Sequence, residues 1–108
     1  MNISFYRSKQ GNSPVEKYLD DLDGRQEARI SAALEDIMVH GLQETTVRRR
    51  TIKGKLRELK IDQYRIFYVL VTGPSMVILH ACKKQGQKAR KEDLDIAKSR
   101  MKDVLDAN

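Results

Sequence analysis

The side chains best equipped for chemistry are cations, and they are concentrated in the middle of the chain. Residues 45–91 carry 13 Lys or Arg against only two acids, Glu58 and Asp62. The flanks are acidic: residues 1–44 hold five basic and eight acidic groups, and residues 92–108 hold three and five. Like charges held together in a fold repel one another, so a polyanion would relieve that repulsion. Nucleic acid is the commonest such partner, and a solvated basic face is the plain alternative. Arg48, Arg49, Arg50, Lys53, Lys55 and Lys88 suit contacts to a nucleic-acid or ribosomal backbone, setting affinity and salt dependence more than base choice.

RNA carries its own nucleophile, the 2′-hydroxyl. A protein can break the chain by aligning that hydroxyl with the adjacent phosphorus, taking its proton, stabilising the added negative charge and protonating the leaving 5′ oxygen. No metal or cofactor is needed. An arginine fits the phosphate because its planar fork donates two hydrogen bonds and stays charged. Arg65 is the candidate clamp, unless it pairs instead with Glu58 or Asp62 across a sheet. Lys83 and Lys84 are candidates for phosphate positioning, and a lysine crowded by other cations can also serve as a base. His80 is the natural acid–base candidate because imidazole titrates nearest neutrality. Within an apolar strand, a buried and hydrogen-bonded histidine is the commoner outcome. Glu58 could act as a base or simply pair with an arginine.

These residues need elements to hold them. Ile3 and Phe5 alternate with polar neighbours, as in a short strand. Ser13-Pro14-Val15-Glu16 resembles a capping box with proline in the first turn, opening a helix that Gly24 ends. Ile30, Ala33, Leu34, Ile37 and Met38 stripe a second helix from about Gln26 to His40, with Gly41 as its stop and His40 as a cation at its C-terminus. Residues 45–55 read as a loop with some extended structure. Leu56–Ile61, Tyr64–Val71 and Met76–Cys82 read as three consecutive strands joined by short turns, an antiparallel meander. Lys91–Leu105 closes the chain as a helix. The expected fold is therefore α+β, in the order β-α-α-β-β-β-α, with helices on one side of a small antiparallel sheet in two layers. Strict alternation places His80 and Cys82 on the face of Met76 and Ile78, and Lys83 on the other, so His80 and Lys83 should not meet. Tyr64 and Tyr68 share a face, where they either stack bases or pack in the core.

The segments Leu56-Arg57-Glu58-Leu59, Tyr64-Arg65-Ile66-Phe67-Tyr68 and Ile78-Leu79-His80-Ala81-Cys82-Lys83-Lys84, with the order of elements, resemble the RelE/ParE toxin superfamily. More narrowly the chain is similar to its phage-derived, HigB-like branch. The resemblance implies a type II toxin that cleaves messenger RNA, usually on the ribosome, and so inhibits translation. It also implies a cognate antitoxin, a small helix-turn-helix protein. Operator DNA would be met only through that toxin–antitoxin complex. The family's arginine in the Tyr-Arg-aromatic strand falls on Arg65, its basic pair on Lys83 and Lys84, and its basic residues around the second strand loosely on Lys53, Lys55 and Arg57. The family's frequent Tyr or His near the start of the last helix has no counterpart in residues 88–94. The ParE branch, which binds DNA gyrase without cleaving RNA, and a plain RNA- or DNA-binding module are the alternatives.

The 108 residues, 40% hydrophobic and 33% charged, fit one soluble domain. No apolar run approaches the roughly 20 residues of a bilayer span, and the N-terminus shows no secretory pattern, pointing to the cytoplasm with no membrane partner. One cysteine and two histidines make a poor set of zinc ligands.

Overall fold

The computed structural model describes residues 1–84, 86 and 90–107. The order is β1 (Asn2–Phe5), α1 (Pro14–Asp20), α2 (Gly24–Glu44), β2 (Arg48–Lys53), β3 (Leu56–Ile61), β4 (Tyr64–Val71), β5 (Ser75–Lys83) and α3 (Lys91–Ala107). The α+β class holds, with a larger sheet than the sequence suggested. The strands lie in the order β1-β5-β4-β3-β2. The meander β3-β4-β5 is antiparallel as expected, but β1 pairs parallel to β5. The basic segment read as a loop supplies a fifth strand, β2, antiparallel to β3. Its side chains are almost all exposed, so it carries no hydrophobic alternation that would mark it as a strand.

The helices cover both faces of the sheet, which corrects the expected two layers. Tyr64, Ile66 and Tyr68 of β4 pack with Val15, Leu19, Ile30, Leu34 and Ile37 of α1 and α2. Phe67 and Val69 point the other way and pack with Ala97, Leu94, Met101 and Val104 of α3. The dense apolar composition of β4 reflects burial on both sides.

Local signals also shifted. Ser13 sits at the N-cap of α1 but makes no side-chain cap, and Glu16 instead reaches Arg7 at 3.5 Å. Gly24 opens α2 rather than ending α1, because Asp23 caps the helix by accepting from the Gln26 amide at 3.0 Å. At Gly41 the backbone takes φ +78°, a left-handed value that glycine tolerates, and the chain kinks before a last turn to Glu44. His40 therefore stands one residue before the kink, 3.8 Å from Asp36, and does not close the helix.

Candidate functional site

The ladder sorts the cations by face, because residues paired across neighbouring strands point the same way. On the α3 face, Arg48 stands opposite Lys60, Lys60 opposite Arg65, and Arg65 opposite the buried Cys82. One position along, Arg50 stands opposite Glu58, Glu58 opposite Phe67, and Phe67 opposite His80. On the α1–α2 face lie Arg49 opposite Leu59, Arg57 opposite Tyr68, and Lys83 opposite Tyr64. The predicted catalytic set is thus split: Arg65 and His80 lie on one face, Arg57 and Lys83 on the other.

A polar cleft of about 380 Å³ opens at the end of the first row, lined by Arg48, Lys60, Asp62, Arg65 and Lys84. The turn Asp62-Gln63 shapes it. Asp62 takes φ +52°, a left-handed value that aspartate adopts more readily than most residues. The Gln63 carbonyl accepts from the Lys84 amide at 2.5 Å, drawing the end of β5 against the turn. The guanidinium of Arg65 is largely fixed: one terminal nitrogen donates to the carbonyls of Tyr64 at 3.0 Å and Asp62 at 3.3 Å, and its Nε lies 3.9 Å from the Glu58 carboxylate. The Asp62 carboxylate, the acid of this cleft, is held by Arg29 of α2 at 2.8 Å. The cleft therefore offers four cations, one of them rigidly mounted, as a site for a phosphate or a similar anion.

The other candidates are elsewhere. Lys53 and Lys55 line a separate shallow groove of about 330 Å³ against Lys98, Met101 and Leu105 of α3. Arg49 and Arg57 lie near the buried Tyr68, whose hydroxyl has no hydrogen-bond partner among the described residues and is raised by burial, with the two arginines opposing that rise. Tyr64 packs edge-on against Tyr18, with ring centroids 6.5 Å apart, so both tyrosines of β4 belong to the core. Lys88 lies outside the described residues.

His80 does not reach the cleft. A bulge in β5, where the ladder slips between Phe67 and Tyr68, puts Leu79 and His80 on the same side. That corrects the alternation: His80 and Cys82 share the α3 face with Leu79, while Lys83 joins Met76 and Ile78 on the other face. His80 and Lys83 still stand apart. The imidazole stacks on Phe67, with centroids 6.2 Å apart. Its Nε2 lies 2.7 Å from Asp93 Oδ1, and its Nδ1 lies 3.4 Å from the Arg100 guanidinium. Both ring nitrogens are engaged beneath α3.

His80, Cys82 and Asp93 also bring three potential metal-ligand atoms within 4.8 Å of one another. The same side chains already partner one another and Arg90. Burial, reinforced by the Asp93 carboxylate, pushes the Cys82 thiol up to about 12, so at neutral pH it packs as a neutral side chain. Arg90 holds the other Asp93 oxygen at 3.3 Å, adding a positive charge beside the site. The cluster ties β5 to the start of α3.

Burial alone would raise the Asp93 carboxyl, but the hydrogen bonds from His80 and Arg90 outweigh it and hold the group below the usual carboxylate range. Its stabilising contribution is therefore complete above the unfolded value, about pH 4, and is lost as pH falls through the lower folded value. Asp93→Asn should destabilise the protein at pH 7, and the difference in urea midpoint from the parent should shrink progressively below about pH 4. An undiminished difference at pH 2 would contradict the assignment.

Sequence reasoning missed Lys60. The inward pair Leu59 and Ile61 already placed Lys60 on the opposite face, beside Glu58, but only the pairing of β2 with β3 shows that Arg48 joins it. Among the described residues no helix is long and apolar enough to cross a membrane.

Comparisons with known proteins agree with this architecture. A chain of the RelB-RelE antitoxin-toxin complex from Methanococcus jannaschii superposes with a TM-score of 0.55 at 16% identity, covering 77% of this chain and 89% of that one. A chain of the heterotetrameric YoeB-YefM toxin-antitoxin complex from Staphylococcus aureus gives 0.54 at 22% identity, covering 79% and 97%. At these identities the likeness is one of fold. No match is found among curated proteins. The family model described as Phage derived protein Gp49-like (DUF891) matches residues 17–102, and by that match the chain belongs to the phage-derived Gp49-like family.

Proposed function

We propose that this protein is the toxin of a toxin–antitoxin pair and acts as a metal-independent endoribonuclease. It cleaves messenger RNA, in association with the ribosome, and thereby inhibits translation in the cytoplasm. One observation carries the reading: Arg48, Lys60, Arg65 and Lys84, from three strands and the end of a fourth, line a single cleft. Arg65 clamps the scissile phosphate and stabilises the charge that builds as the 2′-hydroxyl attacks. Lys60 and Lys84 neutralise the phosphate; a lysine ammonium of the pair protonates the leaving 5′ oxygen while the 2′-hydroxyl proton passes to water, and Arg48 extends the contact along the backbone. The solved complexes that share the fold pair a toxin with an antitoxin, which supports a cognate antitoxin as partner here. Operator DNA would be met only through that complex.

Mapping the 5′ ends of cellular messages after brief expression tests the reading. New ends within coding sequences are expected. Intact messages together with stalled replication would instead indicate a gyrase-directed toxin.

The two adjacent lysines make a sharper internal control. Lys84 lines the cleft, whereas Lys83 lies on the opposite face. Lys84→Ala should weaken binding of a single-stranded RNA and reduce the slope of log K against log salt by about 0.7, the loss of one phosphate contact. Lys83→Ala should leave that slope unchanged. Equal effects of the two substitutions would contradict the placement.

A further inference from the structure

Glu58 is a carboxylate in the middle of β3 with only 1% of its surface exposed. Among the described residues neither oxygen receives a well-directed hydrogen bond, yet Nε of Arg50 and Nε of Arg65 stand 3.3 and 3.9 Å from Oε1. Burying a charge is costly unless it is paired, and an apolar side chain of similar volume would often serve packing as well. The carboxylate therefore calls for an explanation beyond the core. Arg65 provides one. The Nε edge of its guanidinium faces Glu58, one terminal nitrogen is taken by the Tyr64 and Asp62 carbonyls, and the other makes no hydrogen bond among the described residues. Arg65 itself lines the cleft, and Glu58 does not.

We propose that Glu58 is a positioning residue for the cleft: its buried carboxylate holds the Nε edge of Arg65, so that the guanidinium presents its remaining edge to a phosphodiester of RNA. The proposal rests on the ribonuclease reading above and adds a residue that acts only through Arg65. A rigid mount matters because an error of about 1 Å in a catalytic group can cost on the order of 10²-fold in rate.

Glu58→Gln keeps the shape and removes the charge. It should lower single-turnover cleavage at saturating RNA by up to about 10²-fold. Affinity for a non-cleavable 2′-O-methyl RNA should be unchanged or higher, because one negative charge near a polyanion site is gone. The double variant Glu58→Gln/Arg65→Ala should cleave no more slowly than Arg65→Ala alone. A purely structural Glu58 would move stability without this split, and an independent base would multiply the two losses. The readout that needs no RNA is the Arg65 Nε–H resonance. It should be as restrained as the backbone in the parent protein and become motionally averaged in Glu58→Gln. An Arg65 Nε–H already as mobile as that of the exposed Arg25, or unchanged by the substitution, overturns the proposal. If the parent leaves RNA intact while Glu58→Gln still frees Arg65, the nuclease reading fails and the positioning contact stands. Should Glu58→Gln not fold, Glu58→Asp, one methylene shorter with its charge retained, should loosen Arg65 partially. An unaltered Arg65 in that variant would again overturn the proposal.

Discussion

Arg65→Ala should reduce cleavage of a mapped RNA site by about 10²–10³-fold, the usual loss when one preorganised donor to a developing oxyanion is removed. The expectation follows from how Arg65 is held. Two backbone carbonyls hold one terminal nitrogen of its guanidinium, a buried carboxylate lies 3.9 Å from its Nε, and its side chain is only 12% exposed. Little reorganisation is therefore needed when charge builds on the phosphate. Arg65→Lys keeps the charge but loses the planar fork, and should recover only part of the rate. The alanine variant also leaves Glu58 facing Arg50 alone, so some loss of stability should accompany it. The comparison belongs in single-turnover cleavage at a temperature where circular dichroism shows both proteins folded. A rate within about threefold of the parent would remove Arg65 from the chemistry.

The second large effect is on folding. Phe67 is fully buried on the α3 face, opposite Glu58 on one side and His80 on the other. It fills the layer between β4 and α3 with Leu56, Val69, Leu79 and Ala97. Phe67→Ala should cost about 3–5 kcal/mol, from lost transfer energy and the cavity left behind. Such a loss is a large fraction of the stability of a domain this size. The urea midpoint measures it directly. A loss below about 1 kcal/mol would mean that α3 is not seated as described.

Much of this arrangement was legible in the residues themselves. The stripe of α2 was plain because its hydrophobic period repeats over several turns, and β4 because it is rich in β-branched and aromatic residues. Arg65, Lys84 and Arg48 were readable as phosphate-binding candidates from charge and residue type. Three features were not readable, each for a physical reason. β2 presents an exposed basic row with no buried face, so only its hydrogen bonds to β3 define it. The parallel pairing of β1 with β5 joins segments far apart in the chain, Asn2 with Ser75, and no local pattern encodes it. The bulge at Leu79–His80 breaks the alternation that a regular strand would keep, so the neighbours of His80 were assigned to the wrong faces. Face assignment then decided the site. Arg57 and Lys83 look equivalent to Arg65 and Lys84 in sequence, but one step in register turns them toward α1 and α2.

In the proposed function four cations act together at one phosphodiester. Titrating the labelled protein with a short 2′-O-methyl RNA, and following the side-chain N–H and ammonium resonances, tests this most directly. The shifts should concentrate on Arg48, Lys60, Arg65 and Lys84 and saturate with a single affinity. Dominant shifts at Arg49, Arg57 and Lys83 on the other face, or shifts scattered over the surface with unrelated affinities, would contradict it.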